Sequence, residues 1–297
     1  MKKRSRTLIA IGAAGLLALT GCSAAASSTV GGGNKDKKDI TIAVFNGWDE
    51  GVASSELWKA VLDEKGYNAQ LKYADVAPVF SGLSTGDYDF TLDVWAPNTH
   101  ATYIKKYKDG ITDLGAWNDQ AKLTIAVNKD APIDSLADLA ANADKFNNRI
   151  VGIEPGAGLT KAVTDKVIPE YGLKKMDFLT SSTAAMLTEL TAATKSGENI
   201  VVTLWQPHWV YSALGIKNLK DPKGALGTAE SLHAYGKSTF AADYPQAAKW
   251  LGKYKMDLDQ LGSLEKAMFV DYDGHDYGPI VKKWISQNKD YVDSLTS

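Results

Sequence analysis

The chain has 297 residues, a formal net charge of −2, eight tryptophans and one cysteine. The slightly acidic balance argues against nucleic acid, which calls for a basic face. A single cysteine excludes an internal disulfide, so the fold has to hold by its core.

Lys2, Lys3, Arg4 and Arg6 precede an apolar run, Leu8 to Leu19, that is short for a bilayer span. Charge followed by a short apolar run predicts a secretory signal peptide over residues 1–21. The run ends in Leu19-Thr20-Gly21-Cys22, which resembles a bacterial lipoprotein lipobox, and the chain's only cysteine stands at that position. Cleavage there would make Cys22 the acylated first residue. Loss of residues 1–21 removes four positive charges and no negative one, taking the net charge to −6 over 276 residues. Residues 22–38 are small and polar and predict a flexible tether. The expected place is the extracytoplasmic face of the cell membrane, held by lipid. No later segment approaches the ~20 apolar residues of a membrane helix.

From residue 39 strand and helix signals alternate. "DITIAVFN" (39–46) predicts a strand. In the helix that follows, Val52, Leu57, Val61 and Leu62 share one face, and Gly66 stops it. "NAQLKYAD" predicts a strand, "APVFSGLSTGD" a short helix and "YDFTLDVW" (88–95) a third strand. A second block repeats the plan, with strands at "KLTIAVNK" (122–129), "RIVGIEPGAG", "DFLTSS" and "NIVVTLW" separated by helical patterns. Beyond about residue 220 the segments read as helical, "TAESLHAYGK" among them. Two α/β blocks and a helical tail predict an α/β fold in two lobes, with parallel or mixed sheets.

In open α/β sheets ligands bind at the carboxyl ends of strands. Trp48, Trp95, Trp205 and Trp209 all fall at such ends, whereas Trp58, Trp117, Trp250 and Trp284 fall in helices or connections. A lone tryptophan is ordinarily core. Several at strand ends in both lobes point instead to a cleft with aromatic faces. Such faces attract a cation that donates no hydrogen bond, a quaternary ammonium, by roughly 0.5–2 kcal/mol per desolvated ring. Na⁺ or ammonium groups keep their water and are rejected.

"GWDEGVASS" (47–55) leads into a helix whose first amides lack partners. The N–H groups of Gly51 and Val52 could hold a carboxylate, or Asp49 could cap the helix and occupy them. Glu50 beside the box favours a cation without a carboxylate, such as choline. "EPGAG" (154–158) is either a second backbone cradle or a tight turn. His208 is a carboxylate partner or a brace for its loop, and Trp209 reads as packing. Gly82-Leu83-Ser84-Thr85-Gly86 fits the serine-hydrolase pattern, but the order here is helix, turn, strand rather than strand, turn, helix. Neither an enzyme nor a metal site is expected: the four histidines lack ligand spacing, and no cofactor motif occurs. A surface adhesin would show no response to small molecules.

Taken in order, "GWDEGVA", "LDVWAPNTH", "GIEPGAGL", "SSTAAMLTEL" and "VVTLWQPHW" resemble the substrate-binding lipoproteins of ABC importers for glycine betaine and related compatible solutes. The resemblance covers nearly the whole mature body. It implies a two-lobed type II binding-protein fold with a discontinuous first lobe: residues 39–121 and 218–297 in lobe 1, 122–217 in lobe 2, with crossings near 121 and 217. It implies a tryptophan cage, with Trp95 and Trp205 as members. Trp48 resembles a cage position in the choline-binding branch, and Gly51 and Val52 match the carboxylate-holding turn. Some betaine binders take a cage tryptophan from the C-terminal part, where this chain has Met256, so the third wall is either Trp48 or the Met256 region. The implied partners are a quaternary-ammonium solute and a cognate ABC permease, and the protein is expected to work as a monomer without a cofactor.

Overall fold

The computed structural model describes residues 35–297. Cys22, the signal peptide and most of the tether lie outside the described residues. Within them no helix is long and apolar enough to cross a membrane.

Nine strands form among the described residues. They are β1 (Asp39–Phe45), β2 (Asn68–Ala74), β3 (Phe90–Ala96), β4 (Ile111–Asn128), β5 (Arg149–Val151), β6 (Asp177–Leu179), β7 (Val201–Gln206), β8 (Ile216–Asn218) and β9 (Glu230–Lys237). Their order is β2-β1-β3-β9-β4-β7-β5-β6, with β8 on the far half of β4. The β1–β2, β1–β3, β5–β6 and β5–β7 pairs are parallel, as βαβ crossovers require. Every residue of β3 except the last is buried, as expected of a central strand covered on both faces.

The lobes share one strand. Ile111–Ala121 of β4 pairs with β9 in the first lobe, and Lys122–Val127 pairs with β7 in the second. The strand changes partner at Ala121–Lys122. The segment after 217 keeps contact with the second lobe. Asn218 still pairs with Ala126, Ser135 bridges Lys220, and the Tyr171 hydroxyl donates to Asp221. The chain rejoins the first lobe only at Glu230, which pairs with Ala121.

Two segments differ from the sequence reading. "TAESLHAYGK" contains β9, not a helix. Leu232, Ala234 and Gly236 alternate toward the buried side, and a Cβ on Gly236 would come within 2.8 Å of Phe240. Its small residues fit between β3 and β4, and that tertiary fit overrides local preference. Trp117 lies in β4 rather than in a connection, and its indole donates to the Leu92 carbonyl at 2.6 Å. Ser84 lies inside the helix Val76–Thr85, packed against Gly110.

Candidate functional site

The helix after β1, α1, runs from Asp49 to Glu64. Its N-cap is Trp48 in extended conformation, and no side chain caps it. Asp49 and Glu50 stand in the first turn, where the helix dipole favours negative charge. Gly47 has φ +74°, a left-handed turn that glycine adopts freely, and it directs Trp48 toward the cleft.

Trp48, Trp95 and Trp205 line one small cavity between the lobes. The first two come from the ends of β1 and β3, the third from the end of β7. All three are buried. Leu123, Ile153, Ala157 and Leu159 of the second lobe add apolar wall, and Glu50, Thr99 and His100 of the first lobe complete the lining.

Each ring is held from behind. Trp48 lies 4.7 Å from Phe45 and stacks on His100 at 5.5 Å with an 8° tilt. The Trp95 indole donates to Asp93 Oδ1 at 2.9 Å. Asp93 in turn sits against α1, where a Cβ on Gly51 would come within 2.6 Å of its Oδ2. The Trp205 ring meets His208 edge-on at 4.9 Å. The loop after β3 is pinned by Glu230, which accepts from the amides of Asn98 at 2.6 Å and Thr99 at 2.9 Å and from the Thr99 hydroxyl.

His100 escaped the sequence reading. Its Nδ1 accepts the Trp95 amide at 3.0 Å, and burial lowers its pKa to about 3. The ring is therefore neutral with its proton on Nε2, a buried nitrogen without a protein partner. Trp205 Nε1 is likewise a buried donor without a geometrically formed bond. A signal for His100 was present: in both lobes a Trp-X-Pro at a strand end is followed by a histidine, at 95–100 and 205–208.

Carboxyl groups gather around Glu50, the one of them that lines the cavity. Glu50 is buried, and burial raises its pKa to about 8; the Trp205 indole pulls it down, as more weakly does Trp95, while Asp49 pushes it up. Burial, then the Glu50 charge, raises Asp93 well above the carboxylate range. Glu265, at the end of the helix Leu258–Glu265, is raised by burial, then by Glu50 and Asp49. One oxygen of each of Glu50, Asp93 and Glu265 has no partner. Burial of this kind favours the protonated form of a carboxyl, and a nearby positive charge favours the ionised one. Among the described residues no cluster of His, Cys, Asp or Glu is arranged to hold a metal ion.

Other residues singled out by sequence are placed elsewhere. Gly51 and Val52 do not line the cavity; the Val52 amide donates to the Trp48 carbonyl at 2.9 Å, inside the helix. His208 also lies outside the lining, with Nδ1 accepting the Val210 amide at 3.3 Å. Met256 is buried beside Tyr254, whose hydroxyl lies 3.2 Å from its sulfur, away from the box. The third ring at the cavity is thus Trp48. Trp209, read as packing, donates its indole N–H to Asp49 at 2.5 Å across the cleft. Asp49, a cap in one of the two readings of that turn, uses its carboxylate there.

A family model described as the substrate-binding domain of ABC-type glycine betaine transport systems matches residues 38–287. The chain is similar to the glycine betaine/carnitine transport binding protein GbuC of Listeria monocytogenes, with 36% identity over 168 residues, 56% of this chain. The match spans about half of that relative, 54% of its length. Among solved structures, lactococcal OpuAC in its closed-liganded conformation with glycine betaine gives a TM-score of 0.80 at 30% identity, covering 88% of this chain and 100% of that one. The glycine betaine/L-proline-binding protein ProX of Borrelia burgdorferi gives 0.81 at 28%, covering 88% and 97%.

Proposed function

Since the chain belongs to the family of substrate-binding domains of ABC-type glycine betaine transport systems, we propose that it captures glycine betaine, or a close quaternary-ammonium relative, between its lobes. The closed form then delivers the solute to a cognate ABC permease. No bond is made or broken.

The observation that carries this reading is the set of three indoles, two from one lobe and one from the other, around one cavity. A trimethylammonium group fills such a box without needing an acceptor, and each desolvated ring attracts it by roughly 0.5–2 kcal/mol. The His100 Nε2–H group supplies a donor for a carboxylate, while the Trp205 Nε1–H faces Glu50. Gly51 and Val52, outside the lining, are left out of this role, and His208 acts as a brace for Trp205.

A second reading is choline, supported by Glu50. An ionised Glu50 would accept the choline hydroxyl and repel a betaine carboxylate.

Calorimetric titration with glycine betaine, proline betaine, carnitine, choline and ectoine tests both. Trp95→Ala and Trp205→Ala are each expected to weaken the preferred ligand at least tenfold. Unchanged affinity in both variants for every quaternary ammonium would rule out the cage.

We also propose that the protein is a monomeric lipoprotein, acylated at Cys22 and tethered outside the cell membrane. The position of the sole cysteine after Leu19-Thr20-Gly21 supports this. Cys22→Ala is expected to move the protein from the membrane fraction to the soluble one; retention in the membrane would refute the anchor.

A further inference from the structure

The corner Gly47-Trp48-Asp49 belongs to the first lobe, yet three side chains of the second lobe dock on it. The Trp48 indole donates to Glu154 Oε2 over a long 3.5 Å. Glu154 is itself fixed by the start of the helix Thr183–Ser196, accepting the Thr183 amide at 2.7 Å and hydroxyl at 3.0 Å. In the opposite sense, the Trp209 indole of the second lobe donates to Asp49 Oδ2 at 2.5 Å. Between these bonds the Gly47 Cα lies so near Thr183 that a Cβ would come within 3.1 Å of the Thr183 Cβ. Two neighbouring residues, one a wall of the box, are therefore gripped by crossed indole–carboxylate bonds. Neither Glu154 nor Trp209 lines the cavity.

From this we infer that Glu154 and Trp209 are positioning residues that latch the closed form through the Trp48–Asp49 corner and so set how long a ligand is held. This rests on the capture function proposed above. Both bonds join groups on different lobes, so they form only on closure. Trp48 finds its acceptor at the moment its ring completes the box. Hydrogen bonds to ionised acceptors are the stronger kind, and bonds made only after encounter act on the off-rate. The open form makes neither bond, so its stability does not depend on them.

Trp209→Phe keeps an aromatic ring but removes the pyrrole half with its N–H, so a cycle with Asp49 isolates the bond; Glu154→Gln keeps the shape and replaces the carboxylate by an amide. Stopped-flow kinetics with the preferred quaternary ammonium should give an off-rate about tenfold faster in Trp209→Phe, about 1.4 kcal/mol. Its on-rate should stay within twofold and its ligand-free Tm unchanged. Glu154→Gln should shift the same way. In a double-mutant cycle Trp209→Phe and Asp49→Ala should be non-additive, the pair costing little more than either alone. An off-rate within twofold of wild type in both Trp209→Phe and Glu154→Gln overturns the latch while leaving the capture function intact. A slowed on-rate with an unchanged off-rate also overturns it. If wild type binds no ligand of the panel, the capture function fails and the latch falls with it.

Discussion

A carboxyl that lines a cation box behaves differently in its two protonation states. Protonated, Glu50 is a hydrogen-bond donor that tolerates a ligand carboxylate; ionised, it repels one and attracts a cation. Its raised pKa, about 8, means the neutral form dominates below that value and the charged form above it. Asp49, Asp93 and Glu265 also titrate high, Asp49 at about 6, chiefly through burial. Glu50→Gln separates the contribution of Glu50 from theirs. The ratio Kd(betaine)/Kd(choline) is therefore expected to rise about tenfold between pH 6 and pH 9, and Glu50→Gln should flatten it. A flat ratio in wild type would show that Glu50 does not sense the ligand's carboxylate. The positions of the tryptophans were legible because strand ends can be read from alternation and turn residues. The direction of each indole N–H was not, because it depends on acceptors far away in sequence, such as Glu154 for Trp48 and Asp49 for Trp209.

At the scale of elements, the "EPGAG" turn gains a meaning that neither a cradle nor a tight turn supplied. Its glycines form part of the seam between the lobes. The Tyr103 hydroxyl donates to the Gly156 carbonyl at 3.1 Å, and a Cβ on Gly158 would lie 2.4 Å from the Thr99 carbonyl oxygen. Thr99 is in the first lobe and Gly158 in the second, so the clash would exist only in the closed form. Gly158→Ala is expected to fold with an unchanged ligand-free Tm but to bind at least tenfold more weakly. Normal affinity would mean that the seam relaxes around a methyl group. The βαβ order of each block, and with it the α/β class, could be read from period and punctuation. The strand β9 could not, since "ESLHAYGK" carries good helix formers and becomes a strand only because β3 and β4 leave a slot between them. The first half of β4 was hidden in the same way, its pattern broken by bulges opposite β9.

For the molecule as a whole, the fold joins what the sequence separates. Residues as far apart as Trp48 and Trp205 line one cavity between the lobes. The two-lobed plan was readable from the repeated block, whereas the return crossing was not. Residues 218–226 lack a strong pattern, and their attachment to the second lobe rests on single contacts such as Tyr171–Asp221. The paired crossings have a further consequence. Ala121 and Glu230 lie side by side in one ladder, the arrangement of a door hung on two adjacent pins. On the proposed capture function, two adjacent pins favour turning over sliding, and a bulkier guest is expected to leave the door further ajar.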